Sequence, residues 1–87
     1  MKVVILYHPN SEFARTVEEY AHDFEKRVGR AIELLSLETR DGAAMASLYD
    51  VLTYPAILTI REDGQLMKNW EGTELPLMNE VAGYIAT

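Results

Sequence analysis

The chain has 87 residues, 48% of them hydrophobic and 25% charged, which predicts one folded domain with a single core. Its formal net charge of −6 disfavours contact with phosphate backbones and anionic membranes, so we predict neither nucleic acid nor a membrane as a partner. The absence of cysteine excludes disulfides, thiolate nucleophiles and cysteine-based zinc sites.

The chain shows no sign of membrane insertion or export. Its longest apolar run is far shorter than the roughly 20 residues that span a bilayer. Met1 and Lys2 lead directly into an apolar run without a signal-peptide pattern. We therefore expect a soluble, cytoplasmic protein.

A strand and a helix are predicted first. The continuous aliphatic run Lys2–Tyr7 is typical of a strand buried on both faces. Apolar residues then recur every three or four positions from Phe13 to Val28, which predicts an amphipathic helix. Ser11 is the predicted N-cap of this helix, and Gly29 ends it.

A second strand and a second helix follow. The apolar segment Ala31–Leu37 predicts the strand, and Arg40–Val51 predicts the helix, with Thr39 or Asp41 as its N-cap. The helix is expected to face the core with one apolar stripe, formed by Met45, Leu48 and Leu52.

The last part of the chain predicts a hairpin and a helix. Ala56–Arg61 and Gln65–Glu71 read as two antiparallel strands joined by the tight turn "EDG". A final helix is predicted from about Glu74 to Ile85, with its inner side formed by Leu75, Met78, Val81, Ala82 and Ile85. The predicted order is β-α-β-α-β-β-α.

Three local motifs sharpen this order. They are "ASLYDVLTYPAI" (46–57), which holds Pro55 directly before a strand, "REDGQ" (61–65) at the hairpin turn, and Gly72 ahead of the last helix. Together they resemble the thioredoxin-like superfamily over essentially the whole chain. The resemblance implies one α/β domain over residues 1–87, a three-layer fold with a mixed four-stranded sheet, and a cis peptide bond before Pro55.

The resemblance also locates a departure from that superfamily. Its thioredoxin-like and glutaredoxin-like enzymes carry Cys-x-x-Cys where this chain has "SEFA", so Ser11 takes the nucleophilic position and Ala14 the resolving one. Phe13 resembles the aromatic residue of the glutaredoxin motif, whereas Ile5 and Asn10 replace the buried acid and the tryptophan of thioredoxin. Because only cysteine forms a mixed disulfide, we expect no thiol–disulfide oxidoreductase activity.

The leading functional hypothesis is a redox-inactive module that binds a protein or an extended peptide. The predicted groove is formed by His8, Pro9, Asn10, Ser11, Phe13, Ala14, Tyr54 and Pro55. The alternative is a glutathione-type ligand site or weak transferase in which Ser11 stabilises a thiolate. A third hypothesis is a structural domain whose groove is a relic.

Catalysis and cofactors receive little support from the sequence. His8 follows the first strand, at the edge where α/β sheets usually bind ligands, but no spaced nucleophile or orienting partner accompanies it. No set of residues has the spacing of metal ligands. We therefore predict no catalytic residue, no metal site and no cofactor, and we rank glutathione below a peptide as a partner.

Overall fold

The computed structural model describes residues 1–85. Its elements are β1 (Lys2–Tyr7), α1 (Ala14–Val28), β2 (Ile32–Ser36), α2 (Arg40–Leu48), β3 (Ala56–Ile60), β4 (Leu66–Glu71) and α3 (Met78–Ile85). This is the predicted order β-α-β-α-β-β-α. No helix in this part of the chain is long and apolar enough to cross a membrane.

The four strands form one mixed sheet in the order β2-β1-β3-β4. β1 pairs in parallel with β2 and antiparallel with β3, and β3 pairs antiparallel with β4. β1 and β3 are therefore the two inner strands. This position explains why the predicted buried run of β1 contains five consecutive buried residues after Lys2.

The core consists of two apolar clusters, one on each face of the sheet. Alternate β1 side chains enter opposite clusters, as the two-residue repeat of a strand requires: Ile5 packs with Phe24 of α1 and Val81 of α3, whereas Leu6 packs with Ala46 of α2. The helices α1 and α3 therefore cover one face, and α2 covers the other.

The start of α2 lies very close to β2. Thr39 is its N-cap, and the Thr39 hydroxyl accepts a hydrogen bond from the Gly42 amide at 3.1 Å. A side chain at position 42 would collide with the Ser36 carbonyl oxygen. Glycine at this position therefore allows the first turn of α2 to pack against the end of β2.

Two predictions about α2 are wrong. The helix ends at Leu48 rather than Val51, because Asp50 adopts a left-handed φ of 55° and the Val51 amide donates to the Ala46 carbonyl. Leu48 and Leu52, expected to face the core, are 71% and 85% exposed, whereas Val51 is buried. The early end breaks the helical periodicity that had placed Leu52 inward.

The last helix is also shorter than predicted. α3 begins at Met78 rather than near Glu74, and the amides of Glu80 and Val81 donate to the Leu77 carbonyl. Pro76 accounts for the difference, because a residue that precedes proline is disfavoured in helical conformation.

Candidate functional site

The loop after β1 is folded by two consecutive turns. The Ser11 amide and the Ser11 hydroxyl both donate to the His8 carbonyl, at 3.1 and 2.7 Å. The Ala14 amide then donates to the Ser11 carbonyl at 3.2 Å. Residues 11–13 of "SEFA" are therefore a turn, and Ala14 is the first residue of α1.

The prediction that Ser11 is the N-cap of α1 is wrong. The N-cap is Phe13, which makes no side-chain capping bond. The Ser11 hydroxyl donates to a carbonyl in its own turn, a local bond that serine side chains form in competition with helix capping.

Tyr54 and Pro55 form the opposite wall of the site. The peptide bond between them is cis. The Tyr54 hydroxyl donates to the Val51 carbonyl at 2.9 Å, and its ring meets the His8 ring edge-on, with 5.6 Å between centroids. His8 is thereby brought from the end of β1 against the segment before β3.

Glu71, at the end of β4, holds this segment in place. Its carboxylate accepts hydrogen bonds from the amides of Leu52 and Thr53, at 2.9 and 3.1 Å. These two backbone bonds lower the pKa of Glu71; burial opposes them, and the side-chain bond from Asn69 adds a smaller lowering effect. The sequence analysis missed this residue, because no local pattern indicates a contact between segments 18 and 19 residues apart.

The two walls enclose a groove of about 200 Å³, here called the loop groove. It is lined by Tyr7, His8, Ser11, Phe13, Tyr54 and Pro55. Five of these were predicted as groove residues, and Tyr7, the last residue of β1, is an addition. Burial, and secondarily the Glu18 carboxylate, raise the pKa of the Tyr7 phenol.

Three predicted groove residues do not line the loop groove. The Asn10 side chain donates instead to the Glu38 carboxylate at 3.2 Å. Ala14 is buried in the cluster beneath α1, and Pro9 is half-buried beside the loop.

Tyr54 lines the loop groove, and its main-chain groups have no protein partner among the described residues. Within residues 1–85, neither its amide nor its carbonyl is hydrogen-bonded to another protein group. The neighbouring Pro55 carbonyl, by contrast, accepts from the Gly72 amide at 2.9 Å. Tyr54 therefore presents one donor and one acceptor in a segment that its neighbours hold fixed.

A second hollow of about 450 Å³ lies on the α2 side of the same wall, and we call it the α2 pocket. His8 and Tyr54 line both hollows. The α2 pocket adds apolar surface from Val51 and Leu52 and the carboxylate of Asp50.

The groups in the loop groove do not form a nucleophile and base pair. The Ser11 hydroxyl donates to the main-chain oxygen of His8, not to its imidazole. Its proton is therefore already committed, which weakens the hypothesis that Ser11 stabilises a bound thiolate. In the described part of the chain, no group of three histidine or acidic side chains is placed to hold a metal ion.

Comparison with known proteins gives a structural match but no sequence match. No family model matches the chain, and no curated protein sequence matches it. Thioredoxin 1 from the thermophilic eubacterium Thermosipho africanus TCF52B is structurally similar, with a TM-score of 0.68 and 14% sequence identity. The match covers 99% of this chain and 91% of that one.

The class of protein follows from the topology and this match. The chain has a thioredoxin-like α/β fold, as the sequence motifs predicted. It contains no cysteine, so the Cys-x-x-Cys motif is absent, and "SEFA" stands at the start of α1.

Proposed function

We propose that the protein is a redox-inactive binding module that holds an extended peptide, alone or as part of a protein, in the loop groove. The observation that carries the proposal is the pair of unsatisfied main-chain groups of Tyr54 beside this groove. An extended peptide pairs with such groups as a strand does. This contact needs no cysteine.

The side chains around Tyr54 suit such a ligand. Phe13 is 36% exposed at the rim, and the His8 and Tyr54 rings meet at the wall. Aromatic residues of this kind are enriched at recognition surfaces because they offer apolar area at a small entropic cost. Glu71 supports the arrangement by fixing the two residues before Tyr54.

The test is an amide-exchange measurement with a peptide selected from a random ten-residue display library. In the unliganded protein the Tyr54 amide should exchange rapidly, because it has no protein acceptor within residues 1–85. Saturating peptide should protect it. An enriched peptide that leaves the Tyr54 amide unprotected would overturn the proposal.

A matched pair of variants tests the side-chain contribution. Phe13→Ala should weaken binding by at least about fivefold, as expected for an interface residue worth more than 1 kcal/mol. Met67→Ala, on β4 and 40% exposed, is the control and should leave the affinity unchanged. A glutathione titration runs in parallel, and saturable shifts at Ser11 and Tyr54 with glutathione alone would favour the small-ligand alternative.

A further inference from the structure

We infer that the α2 pocket selects a lysine or arginine side chain of the bound peptide; this inference rests on the proposed peptide binding at Tyr54. The first step is the shared wall. Because His8 and Tyr54 line both hollows, a chain that pairs with the Tyr54 main chain passes from one hollow to the other. Residues of an extended peptide rise about 3.3 Å each, so a few of them reach both.

The second step is the charge of the α2 pocket. Asp50 is an exposed residue that lines it. α2 ends at Leu48, two residues before Asp50, so the negative end of the helix dipole lies near this residue. Among the described residues that line the two hollows, none is lysine or arginine. The local field therefore favours a cation.

The third step is the apolar surface beside that charge. Leu52 is 85% exposed and lines the α2 pocket, while its amide is held by Glu71. Lysine and arginine carry long aliphatic stems that pack on apolar surface while the charged group stays hydrated. A basic side chain can thus cover Leu52 and place its charge near Asp50.

The position of Asp50 is held by its own turn. Its amide donates to the Ser47 carbonyl at 3.3 Å, and the next amide, of Val51, donates to the Ala46 carbonyl at 2.9 Å. Asp50 has a φ of 55°, a conformation that asparagine tolerates equally well. Asp50→Asn therefore removes the charge and preserves the backbone.

The experiment selects ten-residue peptides from a random display library on the wild-type protein and measures the affinities of the enriched sequences. We expect enrichment of lysine or arginine beside an apolar residue. Asp50→Asn should weaken these peptides by about twofold to fivefold at low salt, the range of an exposed ion pair. The control is Glu25→Gln, an exposed residue of α1 on the other face of the sheet, which should have no effect.

A double-mutant cycle isolates the contact. In the wild-type protein, replacing the basic residue of the peptide by norleucine should weaken binding by the same factor as Asp50→Asn does. In the Asp50→Asn variant, the same replacement should weaken binding no further. Some enriched peptides could protect the Tyr54 amide yet lack a basic residue, or bind Asp50→Asn as tightly as wild type. Either result would overturn this inference and leave the proposed function standing. Failure to enrich any peptide would overturn both.

Discussion

Glu71 shows how one exposed carboxylate shapes a site built from other residues. It lies at the end of β4, yet its oxygen accepts two amides from the segment that leads to Tyr54. Tyr54 in turn meets His8, from the end of β1. The geometry of the loop groove therefore depends on a residue that does not line it.

The charge of Glu71 should make stability depend on pH. Its folded-state pKa lies below the ordinary value of 4.5 because the ionised form accepts the two amides. The stabilisation is therefore present above pH 4.5 and is lost as the pH falls through the lower folded-state pKa. We expect Glu71→Gln to be less stable than wild type at neutral pH, with a difference that shrinks on acidification.

Urea denaturation at a series of pH values measures this difference. Glu25→Gln removes an exposed carboxylate from α1 and serves as the control, with no such pH-dependent difference. If the free energy of unfolding of Glu71→Gln differed from that of wild type by a constant amount from neutral pH to about pH 3, the carboxylate charge would not be the cause of the difference.

The turn of "SEFA" permits a second prediction at single residues. The Ala14 amide donates to the Ser11 carbonyl, and the ends of a turn closed in this way have Cα atoms within about 7 Å. A disulfide bridges Cα atoms up to about 6.8 Å apart. We therefore expect Ser11→Cys combined with Ala14→Cys to form an intramolecular disulfide in oxidising buffer.

Intact mass and resistance to alkylation measure this bond. Because Ala14 is buried, alkylation is carried out in denaturant, where the two single variants are the controls and should be fully alkylated as monomers. A double variant that stayed reduced under oxidising conditions would mean that positions 11 and 14 do not approach each other in solution.

At the scale of elements, α2 and the segment after it differ most from the sequence prediction. Leu48 and Leu52 lie on the outer surface, whereas Val51 and Leu58 are buried in the cluster beneath α2. Amphipathic spacing alone had predicted that Leu48 and Leu52 face the core. The left-handed residue Asp50 ends the helix and turns the chain between them.

Leucine-to-alanine variants test this assignment by denaturation. Leu52→Ala and Leu48→Ala should each change the free energy of unfolding by less than about 0.5 kcal/mol, as is usual for exposed positions. Leu58→Ala, at a residue with 0% exposure, is the matched comparison and should cost about 2 to 5 kcal/mol. A cost for Leu52→Ala comparable to that of Leu58→Ala would place Leu52 in the core.

At the scale of the whole molecule, the chain has a thioredoxin-like fold but no cysteine to perform thiol–disulfide exchange. The thioredoxin-like topology is complete, with α1 and α3 on one face of the sheet and α2 on the other. No position in the 87 residues can supply a thiolate, and thiol–disulfide exchange requires one. The fold therefore keeps a groove without the group that performs this chemistry.

We expect the purified wild-type protein not to accelerate the reduction of insulin by dithiothreitol, so that the rate equals the rate with dithiothreitol alone. Insulin turbidity measures the rate. Activity that copurified with the protein through successive columns in constant proportion would contradict this expectation.

The sequence by itself determined the element order, the burial of β1 on both faces and the absence of a redox motif. These features depend on local periodicity and on residue identity, both of which are written along the chain. The end of α1 at Gly29 is local in the same sense, since it depends on residues within one turn. For the N-cap of α2 the sequence left Thr39 and Asp41 open, and the structure shows Thr39.

Only the tertiary structure decided the role of Ser11, the exposure of Leu52 and the part played by Glu71. Ser11 could cap α1 or bond within its own turn, and the loop after β1 selected the second. Leu52 is exposed because the turn at Asp50 ends α2 early. Glu71 meets the segment before Tyr54 because the pairing of β3 with β4 brings them together across 18 and 19 residues of sequence, a distance over which periodicity carries no information.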